Sequence, residues 1–188
     1  MNETALIIVD IQNDFCKGGA LEVPNGEEII SGINKIIESF HNSSMPIFAT
    51  RDWHPSNHCS FQANGGLWPV HCVQGTYGSE IHSDLMIDDR VTIINKGTEI
   101  DKEAYSGFDG TDFADKLRKK NISKVIIAGL ATDYCINWTT MGALKNRFST
   151  KVISDLIKGI DLELGDCERA IAEMKNNGAN FINSSELN

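Results

Sequence analysis

Residues 124–154 read KVIIAGLATDYCINWTTMGALKNRFSTKVIS. Lys124 to Ala128 (KVIIA) is a short apolar run rich in β-branched residues, and Lys151 to Ser154 (KVIS) is another. Between them Asp133 to Arg147 reads as a helix. Two strands separated by a helix of about 10–15 residues form a βαβ unit, which calls for a parallel sheet. The same alternation continues in both directions. Upstream, Thr4 to Val9 (TALIIV), Met45 to Thr50 (MPIFAT) and Val91 to Asn95 (VTIIN) read as strands. Glu27 to Phe40 is a helix with Ile29, Ile33, Ile36 and Ile37 at helical spacing, entered through the Asn25-Gly26 turn. Asp109 to Lys120 is a second helix, acidic where it starts and basic where it ends, the order a helix dipole favours. Downstream, Leu162 to Lys175 is a helix with Gly178 as its stop signal, and Ala179 to Ile182 a last strand. The expectation is an α/β fold, a mostly parallel central sheet of about six strands with helices on both faces, in one domain spanning 1–188.

The 188 residues suit one domain, since about 150 residues per domain is the usual scale and no linker interrupts the pattern. A hydrophobic content of 41% is enough for a core. The apolar run Ala5 to Val9 is too short for a signal-peptide core, and no run approaches the roughly 20 residues of a membrane span. Seventeen basic against 26 acidic residues give a net charge of −9, which repels phosphate backbones and anionic lipids. These features lead to the expectation of a cytoplasmic protein with no nucleic-acid or membrane partner; no motif speaks to monomer or homo-oligomer. Five cysteines, an odd number without a CxxC pair, argue against a disulfide framework or a zinc ribbon. The question becomes whether one thiol is reactive.

Residues 52–90 break the alternation, and so long an irregular stretch within a compact domain is more often functional than structural. Its first part holds His54, His58 and His71 of the five histidines, and Trp53 and Trp68 of the three tryptophans. Asp52-x-His54 directly after a strand places both side chains on one side of an extended chain. A carboxylate with imidazoles suits zinc, iron or manganese; a polar turn with hydrogen-bonded histidines is the plain alternative. Asp52, His54 and His71 are better ligand candidates than His58. Cys135 falls at the junction of a strand and a helix that Thr132 or Asp133 can cap. Amides and dipole there would stabilise a thiolate and then an oxyanion, although a buried small hydrophobe is the commonest fate of a free cysteine. Asp10 closes a buried apolar strand, where it is costly unless paired or functional, and it could accept a thiol proton. Lys96 also ends a strand, where a solvated lysine is the ordinary reading. Three strands thus bring Asp10, Lys96 and Cys135 to one sheet edge.

Five segments in order now carry a resemblance: Asp10-Ile-Gln-Asn-Asp-Phe15, Arg51-Asp52-Trp53-His54-Pro55, Trp68-Pro69-Val70-His71-Cys72-Val73-Gln74-Gly75-Thr76, Ala104-Tyr105-Ser106-Gly107-Phe108-Asp109 and Ala131-Thr132-Asp133-Tyr134-Cys135. Together they resemble the nicotinamidase/pyrazinamidase branch of the isochorismatase-like cysteine hydrolase family, over nearly the whole chain. The resemblance implies a three-layer fold and an amidohydrolase that converts nicotinamide, and pyrazinamide, to the acid and ammonia, a step of NAD salvage and pyridine nucleotide biosynthesis. It implies Asp10 as base, Lys96 as third member of the triad and Cys135 as nucleophile forming a thioester. It further implies an oxyanion hole from the Ala131 and Cys135 amides, with a cis Leu130-Ala131 bond. Asp52, His54 and His71 would hold one divalent metal, zinc first and iron or manganese next, that positions the pyridine ring. His58 is a further candidate, since relatives differ there. Phe15, Leu21, Trp68 and Tyr105 match positions that wall the substrate pocket. Gln62 is neutral where some relatives offer a ligand, and Leu156 stands where a small residue is common.

Two other readings compete. One is an amidohydrolase of the same family acting on a carbamoyl or ureido compound. The other, of a different class, is a non-catalytic metal-binding or thiol redox module, against which stand the missing CxxC and the two strand-end charges aimed at the thiol.

Overall fold

The computed structural model describes residues 3–187. Six strands, β1 (Thr4–Val9), β2 (Ile47–Asp52), β3 (Val91–Lys96), β4 (Lys124–Leu130), β5 (Ser149–Lys158) and β6 (Asn180–Ile182), pair in the order β3-β2-β1-β4-β5-β6. Every pairing is parallel, as the alternation predicts. The helices are α1 (Ile30–Asn42), α2 (Phe113–Lys119), α3 (Asn137–Lys145) and α4 (Asp166–Asn176).

Two apolar layers follow from the period of two along β1. Leu6 and Ile8 face one side, where Ile33, Ile36, Ile37 and Phe40 of α1 cover them. Ala5, Ile7 and Val9 face the other, against Phe113 and Leu117 of α2, Ala143 of α3 and Met174 of α4. Burial on both faces is why these strands read as unbroken apolar runs. No helix among the described residues is long and apolar enough to cross a membrane.

Several element boundaries depart from the sequence reading, β5 for one running Ser149–Lys158, and at three helix starts the reason is local. Residues 109–112 stay outside α2 because their side chains serve turns: Asp109 Oδ2 accepts the Ser106 N–H, and Thr111 Oγ1 donates to the Gly107 carbonyl. Residues 162–165 stay outside α4, where Asp166 Oδ2 accepts the Glu163 N–H and holds a loop ahead of the helix. The helix expected from Asp133 opens instead as a π turn, Thr132–Ile136, in which the Ala131 carbonyl accepts the Ile136 N–H.

The strand order reverses between β1 and β4. Ligands of open parallel sheets bind beyond the carboxyl ends of strands at such a switch. Asp10 follows β1 and Ala131 follows β4 at this point, and Asp52 and Lys96, the last residues of β2 and β3, are paired in register beside them.

Candidate active site

Lys96 lies at the centre of the site with its side chain fully buried. Its ammonium is 2.5 Å from Asp52 Oδ1, 2.9 Å from Asp10 Oδ2 and 3.4 Å from Cys135 Sγ, and it donates to the Ala104 carbonyl at 3.2 Å. The three residues expected at one sheet edge therefore meet around one cation. Asp10 Oδ1 accepts from Thr50 Oγ1 at 2.6 Å, while Oδ2 has the ammonium near it but no hydrogen bond of normal geometry. That oxygen keeps acceptor capacity for a thiol proton.

The charges follow from burial and neighbours. Burial works against the Lys96 ammonium, but Asp10, Asp52 and Cys135 outweigh it, so its affinity for the proton lies well above the ordinary lysine value. Burial pushes the Cys135 thiol well up; Lys96 opposes this, and Asp10 and Asp52 add to it. Burial also raises Asp10, against the pull of Lys96. For Asp52 burial acts upward too, but Lys96 and His54 together hold it below the ordinary carboxylate range. These influences favour a neutral thiol beside a carboxyl group of raised basicity, with the Lys96 ammonium near both.

A second group adjoins the first through Asp52. Donor atoms of Asp52, His54 and His71 lie within 4.8 Å of one another, all three residues buried. His54 Nδ1 is 2.9 Å from the Gly97 carbonyl and His71 Nδ1 is 2.8 Å from the Pro69 carbonyl. A carbonyl can only accept, so each ring carries its proton on Nδ1 and offers the Nε2 lone pair, the arrangement typical of metal-ligating histidines. His54 Nε2 stands 3.6 Å from Asp52 Oδ2. Burial draws the His54 proton affinity down, yet the bond to Asp52 leaves it raised, and burial leaves His71 lowered. A cation would take the lone pair that otherwise attracts a proton, so the residues fit a divalent metal. Gly97 makes room for this: its φ is +60°, and a Cβ there would sit 2.4 Å from His54 Cε1. Asp10, Asp52 and Cys135 form another close donor group, but Lys96 is already the cation among them.

His58 is placed differently. It stacks on His54 at 4.2 Å, but its Nε2 faces the Lys102 carbonyl at 2.9 Å and its Nδ1 faces Ser60 Oγ at 2.7 Å. With the proton on Nε2, both nitrogens have partners outside the donor group. Gln62 donates to the Leu67 carbonyl and is exposed.

Above the thiol opens a cleft lined largely by apolar and aromatic side chains, the usual character of a small-molecule site. Phe15, Leu21, Trp68 and Tyr105 all line it, as do Tyr134, Ile160 and Glu103, which sequence reasoning missed. Trp68 Nε1 donates to Tyr105 Oη at 2.9 Å, and Trp68 meets Tyr134 edge-on at 4.8 Å. The Leu130-Ala131 peptide is cis. Leu156 lies beneath α1, filling the space over Gly32. Gln12, also missed, ties β1 to the end of β2: its Oε1 accepts the Asp52 N–H at 2.7 Å, and its Nε2 donates to the Asp52 and Ser79 carbonyls. Asp14 Oδ2 accepts the Cys72 N–H at 2.7 Å, fastening the His71 segment to the first motif. Asp133 caps no helix; its carboxylate accepts the Ile160 and Asp161 N–H groups.

Comparison with known proteins gives the following matches. Residues 4–186 match the isochorismatase domain family. The chain is 34% identical over 200 residues to the nicotinamidase of Escherichia coli (strain K12), covering 95% of this chain and 94% of that one. A pyrazinamidase of Pyrococcus horikoshii solved in complex with zinc is 48% identical with a TM-score of 0.92, over 97% of this chain and 99% of its own. PnC1 from L. infantum in complex with nicotinate is 37% identical with a TM-score of 0.89, over 97% and 93%.

Proposed function

The chain belongs to the isochorismatase domain family, and we propose from that footing that it is an amidohydrolase converting nicotinamide, and pyrazinamide likewise, to the acid and ammonia. The observation that carries the reading is the buried Lys96 ammonium, within 3.4 Å of the Cys135 thiol and 2.9 Å of an otherwise unbonded Asp10 oxygen, two residues that line an aromatic cleft.

The reaction is assigned to Asp10, Lys96 and Cys135. Asp10 Oδ2 takes the Cys135 proton as Sγ attacks the carboxamide carbon, and the C=O electron pair moves onto oxygen. Ala131 and Cys135 are assigned the amide donors for that oxyanion. Lys96 keeps its proton and offsets the negative charge as it passes from Asp10 to sulfur. When the tetrahedral adduct collapses, its C–N bond breaks, Asp10 returns the proton to nitrogen, and ammonia leaves a thioester behind. Asp10 then takes a proton from water; the hydroxide adds to the thioester carbon, the C–S bond breaks, and the thiolate recovers the proton as the carboxylic acid is released. The balance is one water consumed and one ammonia produced.

Asp52, His54 and His71 are assigned as ligands of one divalent metal, zinc first because the similar Pyrococcus horikoshii pyrazinamidase was solved with zinc, and iron or manganese next because the same donors suit them. When bound, such an ion supplies an electrophilic position for the ring nitrogen. Residues 52–90 are accordingly the metal- and substrate-binding excursion. Phe15, Leu21, Trp68 and Tyr105 would hold the ring by its faces, so that the carboxamide is presented to Sγ in a fixed orientation.

Ammonia release by the purified, metal-supplemented protein tests the proposal. Release from nicotinamide and pyrazinamide is expected. Release from carbamoyl or ureido compounds but from neither of these would move the assignment to the other amidohydrolase reading, and release from none would defeat it.

A further inference from the structure

The carboxylate of Asp133 is two residues from the proposed nucleophile, and both its oxygens reach across to another part of the chain. Oδ1 accepts the Ile160 N–H at 3.0 Å and Oδ2 the Asp161 N–H at 2.7 Å. Ile160 lines the same cleft as Cys135, opposite the elements that carry the metal-ligand candidates, and it packs on the core layer that includes Phe15, Leu130 and Ala131. The approach to it is narrow. A Cβ on Gly159 would stand 2.1 Å from Cys167 Sγ, 2.8 Å from Asp133 Oδ1 and 3.2 Å from Thr132 Cβ, so a side chain there would have to displace Cys167 and Asp133. On the far side Asp161 Oδ1 accepts the Cys167 N–H at 3.0 Å, at the start of α4. Beyond this clamp the loop is held little by packing: Leu162 is 55% and Leu164 95% exposed.

We infer that Asp133 is a positioning residue for substrate: its carboxylate fixes the Ile160 wall of the cleft to the turn that carries Cys135, so ring and thiol keep one spacing. A hydrogen bond to a charged acceptor is about twice as strong as a neutral one, and here two adjacent amides share one carboxylate. The amide of Asp133→Asn cannot accept both, because its NH2 group would face one of the two N–H donors. The consequence for catalysis rests on the amidohydrolase reading; the clamp itself does not.

The experiment measures kcat and KM for nicotinamide on the metal-supplemented wild type, Asp133→Asn, Ile160→Ala and the double variant, together with amide hydrogen exchange. Expected is a KM raised about tenfold in each single variant with kcat within about threefold, and a double variant no worse than Asp133→Asn. Exchange at the Ile160 and Asp161 amides should be slow in the wild type and fast in Asp133→Asn. The inference is overturned if the single effects multiply, if kcat falls while KM stays, or if those amides keep their protection in Asp133→Asn. Should Asp133→Asn fail to fold, Ile160→Ala and slow wild-type exchange at residues 160 and 161, relative to 162–164, decide it: an unchanged KM or fast exchange refutes the clamp. A wild type that releases no ammonia fails the amidohydrolase reading, while the exchange measurement still judges Asp133.

Discussion

Replacing Lys96 with methionine removes the one cation that Asp10, Asp52 and Cys135 share while keeping most of its buried volume. Oxygens of Asp10 and Asp52 lie within 4.8 Å of each other. Without the ammonium, two unit charges at that separation repel by about 3 kcal/mol at the effective dielectric constant of about 20 suited to protein sites. That matches the roughly 3–5 kcal/mol typical of breaking a buried ion pair from one side. The molecule can escape the repulsion by protonating Asp10, which burial already raises. About 3 kcal/mol is about two pH units. The acid limb of kcat/KM in the variant should therefore move up by about two pH units, with activity returning as the pH is raised. Stability gives the same sign. A carboxyl whose folded-state pKa is raised costs nothing while it is protonated in both states, so the Asp10 part of the metal-free variant's deficit should vanish below about pH 4, while the part due to Asp52, which Lys96 holds low in the wild type, persists to lower pH. Its deficit should widen as pH rises through the raised Asp10 value, levelling at about 3 kcal/mol. Denaturant titrations at several pH values read this directly, and added divalent cation, by neutralising Asp52, should recover part of the loss. A deficit independent of pH together with an unmoved rate profile would refute the electrostatic account of Lys96.

Cys135→Ala should abolish ammonia release while metal content, measured by elemental analysis, stays at the wild-type level; retained turnover would place the nucleophile elsewhere. His71→Asn should lose stoichiometric metal and raise KM, whereas His58→Asn, whose ring is engaged by Ser60 and Lys102, should keep its metal; the opposite order would exchange their roles. Thr50→Val removes the 2.6 Å bond to Asp10 Oδ1, a bond worth about 1.5–3 kcal/mol to a charged acceptor, so the acid limb of the rate profile should rise by at least about one pH unit; an unmoved limb would mean that Asp10 is not the group titrating there.

The parts of the site that could be read from sequence are those where a local pattern breaks for a physical reason. Asp10 and Lys96 are charges closing apolar runs, and such breaks stand out because a buried charge needs a partner. Asp52-x-His54 was legible from the strand period alone, and the structure puts the two side chains 3.6 Å apart. The central strands β1, β2 and β4 were legible because burial on both faces leaves no polar alternation to blur them. What escaped depends on partners distant in the chain. Gln12 is fully buried, and its bonds go to residues 40 and 67 positions away. Asp133 reads as a helix cap because caps are local, but its partners lie 27 and 28 residues on. Ile160 and Tyr134 look like ordinary apolar residues until the chain is folded around the cleft. The early start assigned to α2 fails for the opposite reason, because the side chains of Asp109 and Thr111 bond within their own turns, in competition with the helix.

The two groups in the cleft are joined by a single carboxylate whose oxygens face different ways. Asp52 Oδ1 binds the Lys96 ammonium and Oδ2 faces His54. Charge on the histidine side and charge on the thiol side therefore compete for one unit of negative charge. A divalent ion at Asp52, His54 and His71 would draw on Oδ2 and weaken the hold of Oδ1 on Lys96. The ammonium would then be left more fully to Asp10 and to the sulfur. Less negative charge around Cys135 removes one of the influences that hold its thiol high, while the ammonium that opposes them stays in place. Metal binding on this geometry would do two things at once. It would offer a position for the ring, and by drawing charge from Asp52 it would lower the proton affinities of Cys135 and Asp10 together. Separate carboxylates for Lys96 and for the metal would uncouple the two effects; one buried Asp52, fixed by Gln12 at the end of β2, couples them.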